Sequence, residues 1–108
     1  MATAQIIDNL TVTVIDTPQT LYTAPTGQDV VIGSFTAANT SSVNASYKAY
    51  IVSSVGAEQP QIPFRVVVWG ENDLGIGIVN QVIPRGGSLR VECSALDSIY
   101  FTATGKIT

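Results

Sequence analysis

The chain has 108 residues, a net charge of −3, 45% hydrophobic residues and only 12% charged ones. That is the size of one domain, with enough apolar material to close a core without staples. Five scattered cations (Lys48, Arg65, Arg85, Arg90 and Lys106) against eight acids argue against nucleic-acid binding, because no basic run is present to neutralise a row of phosphates. No apolar stretch approaches a bilayer span and the amino terminus lacks the basic and apolar regions of a secretory signal, so synthesis in the cytoplasm and no membrane partner are expected.

In chain order, residues 1–9 read as an amino-terminal arm and residues 10–108 as the folded domain. Leu10, Val12 and Val14 alternate with Thr11 and Thr13, which predicts a first strand, closed by the turn residues Asp16-Thr17-Pro18-Gln19. A short strand at 20–24 precedes the turn Pro25-Thr26-Gly27-Gln28, and a long strand with apolar residues on both faces follows at 29–38. After the polar loop Asn39-Thr40-Ser41-Ser42, residues 45–54 place Tyr47, Ala49 and Ile51 on one face, with Lys48, Tyr50 and Val52 on the other.

A loop at 56–60 leads to a strand at 62–69, where alternation sets Ile62, Phe64, Val66 and Val68 against Arg65, Val67 and Trp69. Pro63 cannot donate a ladder hydrogen bond, so this strand belongs at a sheet edge or has the proline near its start. Gly70-Glu71-Asn72-Asp73 makes a turn, and Leu74, Ile76 and Ile78 share one face of a further strand whose other face is glycine. Pro84, Gly86, Gly87 and Ser88 turn into Leu89-Arg90-Val91-Glu92-Cys93, and Asp97-Ser98 turns into residues 99–104; both segments alternate and together read as a closing hairpin. About eight short strands without helical periodicity predict an all-β fold, a single antiparallel β-sandwich or jelly roll.

Reactive constellations are scarce. The chain has no histidine, which removes the commonest general base and the Ser-His and Cys-His arrangements, and no enzyme activity is expected. Cys93 is the only cysteine and continues the Leu89, Val91 series, so it reads as a small buried apolar side chain. Glu71 and Asp73 form the only close acidic pair; a calcium loop wants more oxygen ligands, and a solvated turn is expected in its place. Gly86-Gly87-Ser88 precedes a strand and lacks the lysine of a phosphate-binding loop. Three Asn-x-Ser/Thr triplets, at Asn9, Asn39 and Asn44, read as chance matches in a Ser/Thr-rich chain. No cofactor and no metal are expected.

The remaining candidates are association surfaces. A neutral, hydroxyl-rich exterior keeps molecules apart poorly, so a homo-oligomer is expected, with a trimer among the possible forms. Arg65, Trp69, Tyr47 and Tyr50 are residue types that dominate interfaces, on the premise that Phe64, Val66 and Ile51 fill the inner face of their strands; Ile6 and Ile7 are the apolar candidates in the arm.

Three stretches carry a resemblance: Leu21-Tyr22-Thr23-Ala24-Pro25-Thr26-Gly27; Val30-Val31-Ile32-Gly33-Ser34 with Asn39-Thr40-Ser41; and Pro84-Arg85-Gly86-Gly87-Ser88-Leu89 with Asp97-Ser98-Ile99-Tyr100 and Ala103-Thr104-Gly105. The pattern, spanning most of residues 20–108, is similar to that of small β-sandwich virion proteins of tailed bacteriophages. The resemblance implies a structural role in the virion, foremost a capsid decoration or cement subunit on the head exterior that contacts the major capsid protein or another virion protein. The alternative it implies is a head, collar or tail-fibre component; separately from the resemblance, Trp69, Tyr47 or Tyr50 read as aromatics on which a host receptor or carbohydrate would stack. Its motifs are turns and strand starts, so it transfers no functional residue.

Overall fold

The computed structural model of the chain describes residues 3–108 and is all-β. The strands are β1 (Thr3–Leu10), β2 (Gln19–Thr23), β3 (Val30–Asn39), β4 (Ala45–Val52), β5 (Pro60–Val67), β6 (Asn72–Asp73), β7 (Val82–Ile83), β8 (Ser88–Cys93) and β9 (Ile99–Ile107). They form two antiparallel sheets packed as a β-sandwich. One sheet runs β1-β9-β3, with the short β6 and β7 both paired to the far side of β3; the other runs β2-β8-β4-β5.

Alternation explains most of the core. Leu89, Val91 and Cys93 of β8 and Ile99, Phe101 and Ala103 of β9 are buried, as their spacing requires, while Arg90, Glu92, Tyr100 and Thr102 lie toward the outside. The interior is sealed where the sheets meet by three rings. Phe35 and Phe101 come from one sheet and Tyr47 from the other, with centroids 5.5 to 6.1 Å apart and Tyr47 edge-on to Phe101.

Four sequence expectations change. The first strand is Thr3–Leu10, where residues 10–14 were expected, so most of the expected arm over 1–9 is the edge strand β1; Met1 and Ala2 lie outside the described residues. Two shifts in the β1–β9 register explain why simple alternation misses it: one separates Gln5 from Ile7, and the other follows Ile7, where Asn9 takes a positive φ of 54°. Ile6 and Ile7, proposed as arm contacts, are therefore both buried in the chain's own core.

Second, β8 and β9 do not form a hairpin. They belong to opposite sheets, and the connection through Asp97, at φ 53°, carries the chain from one to the other. Third, residues 74–78 are a turn. Gly75 and Gly77 hold φ of 69° and 109°, which leaves Leu74 and Ile76 exposed and buries only Ile78. Gly75 also lies so close to Phe35 that a Cβ there would sit 2.5 Å from the ring, so this glycine is required twice over.

The fourth change concerns β5, which is an edge strand, as Pro63 demands. Between the pairs Tyr47–Arg65 and Ala49–Ile62, β5 spends three steps against two on β4, which places Pro63 and Phe64 in a bulge. The bulge inverts the expected parity. Ile62 and Val67 face the core, whereas Phe64 and Val66 face out.

Candidate functional surface around β5

The bulge sorts the expected interface residues. Tyr47 is 1% exposed; it belongs to the ring cluster, and its side chain cannot reach a partner. Tyr50, on the outer face of β4, is also buried, with its hydroxyl donating to Glu92 at 2.8 Å. It is covered from the side on which Glu58, in the 53–59 loop, pairs with Arg90. Burial and the Glu92 carboxylate push the Tyr50 phenol up to about 12. The premise fails for Tyr47 because Phe64 and Val66 do not fill the inside, so the inner face of this sheet is completed by Tyr47, Ile62 and Val67; Tyr50 is on the outer face as expected but is covered there.

Arg65 is half-buried and occupied. Its Nη1 lies 3.1 Å from Asp73 Oδ2 and 3.2 Å from Oδ1, and its Nη2 donates to the carbonyl of Ile76 at 3.3 Å. The same Asp73 carboxylate accepts the Tyr47 hydroxyl and, at 3.1 Å, the backbone N–H of Gly75. Burial tends to raise the Asp73 carboxyl, but the donors Tyr47, Gly75 and Arg65 together outweigh it and hold the group below its ordinary range. Its partner Tyr47 is driven upward, first by burial and then by the carboxylate beside it. Asp73 is therefore a fastener between the two sheets and the 74–78 turn, in place of the solvated turn expected from sequence.

A second fastener, Asn39, was read as a loop residue. It is buried, and its side chain is saturated: Nδ2 donates to the carbonyls of Val43 and Val67, both at 2.9 Å, while Oδ1 accepts from the N–H and hydroxyl of Ser41 at 3.0 and 2.7 Å. It ties the β3–β4 loop to the end of β5.

These fasteners hold an apolar surface along the β5 side of the sandwich. Trp69 is 59% exposed and stands at the turn after β5, where its N–H bonds the side chain of Asn44 at 3.1 Å. Val68 precedes it, and Val43 lies next to Asn44 in the chain; both are exposed. Leu74 and Ile76, 63% and 80% exposed, are carried alongside β5 by the turn that Asp73 and Arg65 anchor. Trp69 is thus the one aromatic of the expected set that a partner can touch, and Leu74 and Ile76 join it. Sequence reading missed them because it placed both with Ile78 on one face of a strand, whereas the positive-φ glycines turn the chain there.

The outer face of the second sheet carries a different surface. Phe64 and Val66 form one wall of a groove over Ser46, and Asp16, Glu92 and Ser94 form the opposite wall with Lys48 beside them. Lys48 Nζ is 3.6 Å from Glu92 Oε2. Cys93 is buried on the other side of β8; burial, with Glu92 nearby, pushes its thiol up to about 12, which fits the inert role expected of it.

Among the described residues no group of three or more metal-binding side chains occurs, and no helix is long and apolar enough to cross a membrane. Comparison with protein-family models, with curated proteins and with solved structures finds no match to this chain.

Proposed function

We propose that this protein is a structural component of a bacteriophage virion, a homo-oligomeric decoration or cement subunit on the capsid exterior that contacts the major capsid protein or a neighbouring virion protein. The observation that supports this reading is the exposed apolar side built by Val68, Trp69, Leu74 and Ile76 on a rigid base. Exposing apolar side chains to water costs free energy that association recovers, and an aromatic among them is a common anchor. The low charge of the chain removes the repulsion that would otherwise keep copies apart. The sequence pattern of residues 20–108, similar to small phage virion proteins, supplies the setting.

The mechanism is burial of neutral surface, with no arm needed, since residues 3–10 are already paired within the chain as β1. The test is location and copy number. Antibody against the protein should label the heads of purified particles, and quantitative mass spectrometry should return it in many copies per particle. Labelling confined to tails overturns the decoration role, and absence from purified particles overturns the virion role altogether.

A further inference from the structure

The groove on the outer face of the second sheet adjoins the apolar side at Asn44 but has its own chemistry. It consists of two adjoining hollows of about 220 and about 210 Å³, which share Ser46, Phe64 and Ser94. The first reaches toward Lys48, Glu92 and Asp16, and the second toward Asn44 and Val66. Its long walls differ. On the β5 side stand Phe64, 62% exposed because of the Pro63 bulge, and Val66. On the β8 side stand two carboxylates and a serine hydroxyl, with the Lys48 ammonium on β4 between the walls.

From this asymmetry we infer that the groove is a binding site for a neutral oligosaccharide at least two rings long. A pyranose presents a face of C–H groups that packs on an aromatic ring and a rim of hydroxyls that donate to carboxylates and accept from an ammonium. Phe64 supplies the first surface; Asp16, Glu92, Ser94 and Lys48 supply the second. Two carboxylates against one ammonium leave the groove slightly negative, which selects against phosphorylated, sulfated and other anionic chains. The two hollows follow one another along β4, so an occupant is elongated.

This site replaces Tyr47 and Tyr50 as the sugar platform, since both are buried, and it does not depend on where the protein sits in a particle. The premise is small: Phe64 must project outward, and the bulge makes it do so. The wall opposite is already braced, because the Ser94 hydroxyl accepts the Ser46 N–H at 2.9 Å and Glu92 is held by Tyr50 and Lys48.

The test uses the intact protein, isotope-labelled and titrated in separate NMR experiments with cellohexaose, maltohexaose and chitohexaose. Saturable shifts of the Ser46, Phe64 and Ser94 amides with at least one of these probes are expected. In Phe64→Ala the affinity should fall about tenfold or more, as for an aromatic hot spot, and in Asp16→Asn it should fall less. Trp69→Ser should bind as the parent does. Both groove substitutions are at exposed positions, and an unchanged amide spectrum elsewhere shows that the fold is kept. No shift with any of the three probes, an undiminished affinity in Phe64→Ala, or shifts only with a heparin hexasaccharide overturns the site.

Discussion

β8 and β5 lie in the same sheet, one strand apart, and they handle their side chains in opposite ways. β8 is paired on both edges, to β2 and β4, and keeps strict alternation from Ser88 to Cys93. β5 is paired on one edge only and breaks step at Pro63 and Phe64. The interior strand spends its large apolar residues on the core, whereas the edge strand turns Phe64 and Val66 outward and brings Arg65 to Asp73. A ladder bonded on both sides fixes each residue's face; an edge with one missing donor is free to insert a residue and re-aim those that follow. Large apolar side chains are left facing water in this sheet where the ladder is weakest.

The contrast is broken most severely in the core. Leu89→Ala on β8 removes a fully buried side chain and should cost about 2–5 kcal/mol, whereas Phe64→Ala on β5 should stay within about 0.5 kcal/mol. Urea denaturation of the two variants measures the difference directly. A large cost for Phe64→Ala would mean that the ring packs inward and that the bulge is absent.

Asp73→Ala comes next. It strips the acceptor from Tyr47 and Arg65 and unties the 74–78 turn, and a loss of about 1–3 kcal/mol is expected for the buried hydroxyl left without a partner. Tyr47→Phe, which removes the donor instead and leaves the carboxylate its Arg65 and Gly75 partners, should cost less. If Tyr47→Phe is the more damaging change, the carboxylate is not what organises the turn.

Proton linkage sharpens the same point. The folded-state pKa of Asp73 lies below its unfolded value of about 3.9, so its contribution is complete above that pH and is lost as pH falls through the lower folded value. Stability should therefore decline below about pH 4, and less steeply in Asp73→Asn. Asp29, held low by hydrogen bonds from Arg85, retains its part of the decline in that variant. At the alkaline end the sign reverses: Tyr50 is raised to about 12, so its contribution is complete below the unfolded phenol value of about 10 and is lost as pH climbs toward 12. Tyr50→Phe should flatten that alkaline loss in thermal melts. An unchanged alkaline slope would place the Tyr50 hydroxyl in water.

The fold class was legible because alternation holds through β8, through most of β9 and through the first half of β4. The outward surface was less so. Pro63 announced an edge, but a period-two reading carried through it gave Phe64 and Val66 the wrong face, and the same habit hid the turn at Gly75 and Gly77. β1 escaped for a related reason, since its two register shifts bury the adjacent Ile6 and Ile7, which no alternating pattern marks. The most distant partners of Asp73 and Asn39 are 26 and 28 residues away in the chain, Tyr47 for one and Val67 for the other, a separation that local spacing does not encode. The signal that could have found the outward face was the proline itself, taken as a point where parity changes.

The smallest effect on stability should come from the side of β5 on which Trp69 stands, and there the readout changes from folding to association. Trp69 is largely exposed at a turn, where its backbone N–H, which a serine would keep, bonds Asn44, so Trp69→Ser should shift stability by no more than about 0.5 kcal/mol. The same substitution removes the largest apolar side chain from the exposed set, and truncating an interface anchor costs about 2 kcal/mol or more of binding free energy. In analytical ultracentrifugation the parent protein should therefore associate as its concentration rises, and Trp69→Ser should require a concentration more than about tenfold higher to do the same. Ile76→Ser should act in the same direction. Should the parent remain monomeric across the accessible range, self-association through this side fails. Should Phe64→Ala weaken association as much as Trp69→Ser does, the groove and the apolar side are one interface, and the division of labour around β5 disappears.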